Sequence, residues 1–132
     1  MTKINKFISE YISSVSSSIL NTNMKNLNDA AQAILRAIKK KRTIFVCGNG
    51  GSAAIANHYV VDFIKFFRGK TSLKPKILSL SDNIETITAI SNDLDYKYIF
   101  SYQAQSLCNK NDLIIIVSSS GNSKNVVELI KF

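Results

Sequence analysis

The sequence predicts a single α/β domain, residues 1–132, built on a parallel β-sheet. Three short apolar runs have the composition of buried strands, namely Thr43 to Cys47, Ile77 to Leu80 and Leu113 to Val117. Residues with helical periodicity separate these runs, and alternating strands and helices predict a parallel sheet with right-handed crossovers. With 45% hydrophobic and 20% charged residues, the 132-residue chain is expected to form one globular core.

Two amphipathic helices are expected before the first strand. The first is predicted from apolar residues at helical spacing, which are Ile4, Phe7, Ile8, Tyr11, Ile12, Val15 and Ile19. The second is predicted in the same way from Leu27, Ala30, Ala31, Ile34, Leu35 and Ile38. The first helix needs a surface to pack against, and the simplest expectation is the core of the same chain.

The remaining elements follow in alternation. A third helix is expected from about Ser52 to Phe67, and Pro75 precedes the second strand. The segment from Ile84 to Ile90 reads as a short helix that leads into a turn, Ser91–Asp93. A further helix carries Tyr96, Ile99, Phe100, Tyr102, Ala104 and Leu107, then Asn111 and Asp112 introduce the third strand, and a last helix runs from near Ser123 to Phe132.

The segment after the first strand, Gly48–Ser52, is called the glycine loop here. Its glycines allow a sharp turn and a close approach to a ligand, and the first N–H groups of the helix that follows favour an anion. The spacing Gly48-x-Gly50-x-x-Ala53 also satisfies the relaxed dinucleotide fingerprint, so the loop alone predicts a phosphate without saying which one. No Gly-Lys-Ser/Thr follows, which excludes a Walker A loop.

The segment after the third strand, Ser118–Ser123, is called the serine loop. Its four serines offer hydroxyl donors at the start of a helix, which suits a phosphoryl group without lysine or metal. Serine, glycine and asparagine also form ordinary turns and helix caps, so the loop taken alone allows both interpretations. Two such loops at the carboxyl ends of strands, where α/β folds bind ligands, favour the binding interpretation.

His58 and Asp62 are spaced four residues apart on the third helix, so their side chains project from one face. This arrangement supplies half of a metal site. The alternative is an ordinary surface histidine beside an exposed carboxylate.

Charge and composition exclude several classes of function. The formal net charge of +8 favours anionic partners, but no RNA-recognition signature, zinc finger or aromatic-interleaved basic stripe favours nucleic acid. The basic run Lys39–Arg42 is interpreted as a solvated helix end. Cys47 and Cys108 lack ligand spacing and are expected to be reduced. Without a signal peptide or a membrane span in the sequence, a cytoplasmic location is expected.

Four motifs in order resemble the sugar isomerase (SIS) domain of phosphoheptose isomerases. They are Cys47–Ala54, His58, Asn92–Asp93 and Ser118–Ser123. The resemblance spans nearly the whole chain and implies a flavodoxin-like, three-layer αβα fold preceded by the N-terminal amphipathic helix. It also implies conversion of sedoheptulose 7-phosphate into a heptose 7-phosphate for bacterial surface polysaccharides, with a bound zinc and an acid/base pair at subunit interfaces of a homo-oligomer, a tetramer by resemblance.

The resemblance implies roles for particular residues. The sugar end would be held by Asn49, Gly50, Gly51 and Ser52, the sugar hydroxyls by Asn92 and Asp93, and the phosphate by Ser118, Ser119, Ser120 and Ser123. His58 and Asp62 match zinc ligands, and Asp62 also matches one member of the acid/base pair. The family has glutamate where Asp62 stands, so the carboxylate here is on a side chain one methylene shorter, which affects the proton-transfer geometry more than the metal contact.

The family pattern continues beyond the motifs present in these residues. Two further strands and a final helix with a glutamine and a histidine belong to it, so we expect a C-terminally truncated, catalytically incomplete SIS domain with an uncovered edge at Leu113–Val117. Two other functions stay open. One is a non-enzymatic SIS protein resembling the DnaA-initiator-associating regulator, and the other is a nucleotide-binding module in which Asp82 would contact the ribose.

Overall fold

The computed structural model describes residues 2–132, which divide after Gln32 into two compact units. The first unit contains helix α1, Lys3–Leu20, and the start of helix α2, Met24–Lys39. Thr2 caps α1 by accepting a hydrogen bond from the Asn5 N–H. No residue of α1 is buried, and the expectation that its apolar stripe packs into the core of the same chain stays a prediction. Ile4, Phe7, Tyr11 and Ile19 are each more than 60% exposed.

The second unit is an α/β structure around a three-stranded parallel sheet. The strands are β1, Thr43–Gly48, β2, Lys76–Ser79, and β3, Leu113–Val117, in the order β2-β1-β3. In register, Ile44 pairs with Ile77 on one side and Leu113 on the other, and Gly48 pairs with Val117. The predicted parallel sheet and all three strands are confirmed to within one residue at each end.

Helices cover both faces of the sheet, as the three-layer prediction requires. Alternate residues of β1 point to opposite faces. Phe45 and Cys47 join one buried cluster with residues of α5, Ile84–Asp93, α6, Ser101–Leu107, and α7, Lys124–Ile130. Ile44 and Val46 join a second cluster with α2 and with α3, Gly51–Val61.

The helix that follows the glycine loop is not uniform. The prediction of one α-helix to Phe67 is corrected, because α3 ends at Val61 and a π-helical segment, Asp62–Phe67, leads into a short turn, α4, Arg68–Lys70. The path stays helical throughout, and the rings of Phe63 and Phe67 stack with their centroids 5.6 Å apart. π-Helical segments occur frequently at functional sites.

Two other predicted boundaries are corrected. Asn92 and Asp93 form the last turn of α5 rather than a turn between helices, and Leu94 is its C-cap. The predicted helix from Tyr96 is a 3₁₀ turn, Tyr96–Tyr98, followed by α6, because the side chain of Asp95 accepts the Lys97 N–H and starts a separate turn. Helix α7 ends at Ile130.

The end of α2 fixes the entry to β1. Lys41 has a φ of 56°, in the left-handed region that glycine usually occupies. The Lys41 N–H donates to Ile38 O at 3.0 Å and the Arg42 N–H to Ala37 O at 2.9 Å, the paired hydrogen bonds of a Schellman motif. The last carbonyls of α2 are thereby satisfied.

Strand β3 is one of the two edges of the sheet. Within the described residues it pairs only with β1, and all five of its residues are partly exposed, as the predicted uncovered edge requires. No helix within residues 2–132 is long and apolar enough to cross a membrane.

Candidate functional site

The glycine loop and the serine loop leave the sheet side by side. Gly48 and Val117 are paired residues at the carboxyl ends of β1 and β3, and neighbouring strands lie about 4.8 Å apart. Asn49 and Ser118 follow these two residues directly. The structure therefore brings together the two segments that the sequence predicts as phosphate loops.

The glycine loop is closely packed at its first residue. A Cβ atom on Gly48 would lie 2.6 Å from the carbonyl carbon and oxygen of Ser52, so only glycine fits there. The Gly48 N–H donates to Ser81 Oγ at 3.0 Å, and the same hydroxyl donates to Gly48 O at 2.9 Å. Gly50 has a φ of 52°, which turns the chain into α3.

Side chains outside the predicted set hold this conformation. The amides of Asn49 and Asn125 form a reciprocal pair, with N–O distances of 2.9 and 2.8 Å. The Tyr96 hydroxyl donates to the Asn49 Oδ1 at 3.0 Å. Asn125 is 1% exposed and lies in α7, just after the serine loop. The pair therefore ties the glycine loop to α7, the helix that follows the serine loop.

A second chain of hydrogen bonds supports the loop from β2. Ser79 donates to Asn57 of α3 and accepts the Ser81 N–H, and Ser81 holds Gly48. Sequence reasoning missed Asn57, Ser79, Ser81, Tyr96 and Asn125. A signal existed for Asn125, because it shares a helix face with buried Leu129 and a polar residue there needs a partner. The sequence contained no such signal for Tyr96, because its ring also fits the apolar stripe of a helix.

The serine loop is held only by local hydrogen bonds. Ser118 Oγ accepts the Gly121 N–H at 3.0 Å, and Ser120 Oγ accepts the Asn122 N–H at 3.3 Å. Gly121 has a φ of 63°. Within residues 2–132 no hydrogen bond uses the hydroxyl of Ser119 or Ser123, and Ser123 begins α7 without a side-chain cap. Two of the four serines therefore form the turn, and two have free hydroxyl groups.

His58 and Asp62 come together as their spacing predicts. His58 Nε2 lies 3.6 Å from Asp62 Oδ1, and the two side chains are 68% and 44% exposed. They line an open groove of about 490 Å³ together with Ala54, Ile55 and Tyr59. This groove contains no residue of the serine loop, so the two predicted parts of the site face separate openings.

A zinc ion fits these two donors in chemistry, since imidazole nitrogen and carboxylate oxygen are both common zinc ligands. The part of the chain from residue 2 to residue 132 holds no cluster of three His, Cys, Asp or Glu side chains that could bind a metal. The described residues therefore supply two ligands of a site that needs at least three.

Asn92 and Asp93 are exposed at the end of α5. The Asn92 Nδ2 donates to Asp93 Oδ1 at 2.8 Å. No hydrogen bond within the described range joins either residue to the glycine or serine loop. They lie shortly before Tyr96, which does contact the glycine loop.

The cysteines lack the environment of a nucleophile. Burial raises the pKa of the Cys47 thiol to about 12 and that of Cys108 to about 11. Both are free cysteines, and a thiol with so high a pKa carries little reactive thiolate at neutral pH.

The fold and these loops define an α/β protein with two polar loops at one edge of a parallel sheet. A family model described as "SIS domain" matches residues 7–132. The chain belongs to the SIS domain family.

Relatives and solved structures agree with this assignment. The chain is 38% identical over 106 residues to a phosphoheptose isomerase of Campylobacter concisus, covering 80% of this chain and 56% of that protein. It is 41% identical over 113 residues to a probable phosphoheptose isomerase of Thermoplasma acidophilum, covering 85% and 61%. The structure of a phosphoheptose isomerase from Francisella tularensis matches with a TM-score of 0.85 and 28% identity, covering 99% of this chain and 69% of that one. The chain thus spans 56–61% of the length of these two curated relatives.

Proposed function

We propose that this protein is a phosphosugar isomerase of the phosphoheptose type, which interconverts sedoheptulose 7-phosphate and D-glycero-D-manno-heptose 7-phosphate. The observation that carries the proposal is the pairing of Gly48 with Val117, which places the glycine and serine loops side by side. The names of the relatives support the same reaction. A dinucleotide site would leave the serine loop without a role.

The phosphate would bind at the serine loop. Ser119 and Ser123 have hydroxyls with no partner among the described residues, and they would donate directly to phosphate oxygens. Ser118 and Ser120 act as acceptors in the turn and still have a hydroxyl hydrogen to donate. In the glycine loop, the Ser52 N–H already donates to Asn49 O at 2.9 Å. The N–H groups of Gly50 and Gly51, which have no acceptor among the described residues, would therefore hold oxygens of the sugar near Gly50, Gly51 and Ser52.

The Asn49 side chain has a different role from the one implied by resemblance. Both of its amide atoms are engaged, the nitrogen with Asn125 and the oxygen with Asn125 and Tyr96. Asn49 would therefore shape the glycine loop, and its backbone rather than its amide would face the sugar. Asn92 and Asp93 keep the role of binding sugar hydroxyls as a proposal.

The chemistry is assigned to the exposed face formed by α3 and the start of the π-helical segment that follows it. Aldose–ketose isomerisation moves a proton between adjacent carbons, and Asp62 would hold that proton on its carboxylate. His58 and Asp62 would be two ligands of a zinc ion, which when bound would polarise a substrate oxygen. Because the described residues offer one acid/base candidate and two ligands, residues 1–132 are expected to bind the sugar phosphate with no appreciable turnover.

A homo-oligomer, a tetramer by resemblance, would complete the site. Helix α1 presents an apolar stripe with no buried residue, and large exposed apolar surfaces usually mark an interface. The groove of His58 and Asp62 also lacks a wall from the serine loop, which a second copy would provide. Light scattering tests this step, and a monodisperse monomer would contradict it.

The alternative of a non-enzymatic SIS regulator is not favoured by the site. A protein that acts only through its surface has no use for a histidine and a carboxylate 3.6 Å apart on an exposed face. The cytoplasmic location stays a prediction.

Calorimetry separates the substrate classes. We expect sedoheptulose 7-phosphate to bind more tightly than NAD to the purified chain, and tighter NAD binding would overturn the proposal. An assay for heptose 7-phosphate with added zinc tests the expected lack of turnover, and turnover abolished by Asp62→Asn but retained by the control Asp82→Asn would show that the described residues suffice for catalysis.

A further inference from the structure

A concave basic site lies at the amino end of the sheet, on the edge opposite the glycine and serine loops. It is a pocket of about 300 Å³ formed by the last turns of α2, by Arg42 just before β1 and by Asn111–Leu113 at the start of β3. Its charged side chains are Arg36, Lys40, Arg42 and Asp112. We call it the amino-end pocket.

The one carboxylate in this pocket is already engaged. Asp112 Oδ1 accepts the Thr43 N–H at 2.9 Å, and its Oδ2 accepts the Asn109 N–H at 2.9 Å. These bonds join the starts of β1 and β3. Within residues 2–132 no carboxylate lies within 4.0 Å of the charged nitrogens of Arg36, Lys40 or Arg42. The three cations therefore have no ion-pair partner within 4.0 Å in the described chain. Desolvation raises the pKa of Asp112, but the hydrogen bonds from Asn109 and Thr43 and the charge of Arg42 together lower it.

The backbone does not supply acceptors in their place. Among the described residues, no backbone carbonyl accepts a hydrogen bond from the side chain of Arg36, Lys40 or Arg42. Arg42 Nε is buried without a hydrogen-bond partner, and it is the one buried side-chain nitrogen or oxygen in this condition among the described residues. Such an orphaned donor is uncommon in folded proteins and calls for a partner that the chain does not provide.

We propose that the amino-end pocket binds a small, multiply charged phosphate. Two arginines and a lysine around one concavity match the charge and the oxygen geometry of a phosphate. A protein that binds nucleic acid would instead present an exposed stripe of cationic side chains. Of the basic run Lys39–Arg42, only Lys40 and Arg42 line the pocket. The interpretation of the run as a solvated helix end therefore applies to Lys39 and Lys41. The proposal does not depend on the proposed isomerase activity.

The test uses the whole chain, labelled with ¹⁵N, with pyrophosphate as the probe at about 150 mM salt, where nonspecific surface attraction is screened. We expect the backbone amides of Arg42 and of 111–113 to shift on titration. Lys40→Gln is expected to raise the Kd at least about fivefold, and the matched variant Lys39→Gln, with the same charge change on the same helix, less than about twofold. The amide spectrum also reports that each variant is folded.

Several outcomes would overturn the proposal. Equal losses in the two lysine variants would mean diffuse electrostatic attraction. Shifts restricted to 118–123 would place pyrophosphate in the serine loop, a result that leaves the isomerase proposal intact. Equal shifts with succinate would remove the phosphate assignment, and tighter binding of a short RNA or DNA duplex than of pyrophosphate would assign the pocket to nucleic acid.

Discussion

The glycine loop and the serine loop leave paired strand ends at the same edge of the sheet, yet the chain holds them by different means. The glycine loop is tied to β2 through Ser81, to α7 through Asn125 and to the 3₁₀ turn through Tyr96. The serine loop is tied only to itself, by hydrogen bonds between residues two or three apart. Position is thus fixed in one loop by distant elements and in the other by local turn geometry.

The difference separates two tasks within one site. Backbone N–H groups bind a ligand only where the backbone is fixed, so the loop that would offer them is the one with long-range support. Hydroxyl groups rotate to suit an acceptor, so the loop that would offer them can rely on local bonds. Changes in the glycine loop should therefore act on stability, and changes in the serine loop on binding.

The largest effect is expected from Gly48→Ala. The new methyl group would meet backbone atoms of Ser52 at 2.6 Å, and α3 would have to move away from β1. We expect a loss of about 3 kcal/mol or more in the free energy of unfolding, measured by urea denaturation. Gly51→Ala is the matched control, since a methyl group there meets nothing within 4 Å. Equal losses in both variants would contradict the close-packing argument.

In the serine loop, Ser119→Ala and Ser120→Ala should act on binding. Each lost hydrogen bond to a charged phosphate is expected to weaken sugar phosphate binding by about 1.5–3 kcal/mol, measured by calorimetry. The free energy of unfolding should change by less than about 0.5 kcal/mol for Ser119→Ala, because its hydroxyl has no partner in the described chain. Ser72→Ala, an exposed serine outside both loops, should change neither quantity. Unchanged binding in both loop variants would remove the phosphate site from this loop.

Asn125→Ala should destabilise the glycine loop from a distance. Asn125 is buried and makes two hydrogen bonds with Asn49, so we expect a loss of about 1–3 kcal/mol in the free energy of unfolding. A double-mutant cycle with Asn49→Ala should give a coupling of about 1 kcal/mol or more. Exposed Asn122 provides the control, Asn122→Ala, which removes no side-chain bond found in the described chain. Additive losses at Asn49 and Asn125 would mean that the amide pair does not couple the glycine loop to α7.

The smallest effect is expected from Ser118→Ala. The variant loses one exposed hydrogen bond to the Gly121 N–H, which water can replace. We expect a loss of about 0.5–1 kcal/mol by thermal or urea denaturation. A loss as large as that of Asn125→Ala would show that the serine loop has support comparable to that of the glycine loop.

Local sequence patterns predicted most of the fold. Strand β3 matches its prediction residue for residue, because an unbroken run of leucine, isoleucine and valine suits a strand of a parallel sheet. The boundary at Asn92 and Asp93 was missed because both residues are common in turns, while here they extend α5. The π-helical segment has no sequence signature in Asp62–Phe67, since its apolar spacing also fits an α-helix.

The sequence predicted the loops of the candidate site but not the residues that hold those loops in place. Glycines and serines reveal a loop because of their own conformational and hydrogen-bonding properties. The contacts of Ser81, Tyr96 and Asn125 depend on which distant segments meet, and single-sequence patterns carry little information about that. His58 and Asp62 were found because their spacing lies within one helix.

The Asn49–Asn125 pair also sets an order of events. The two residues are 76 positions apart in the sequence, so a growing chain releases the glycine loop long before its partner is made. Forming a contact across so long a loop has a large entropic cost. The hydrogen bonds of the serine loop join residues two or three apart and have a much smaller one. During synthesis on the ribosome, the glycine loop therefore emerges 76 residues before Asn125, and its amide pair with α7 forms only after that helix has been made.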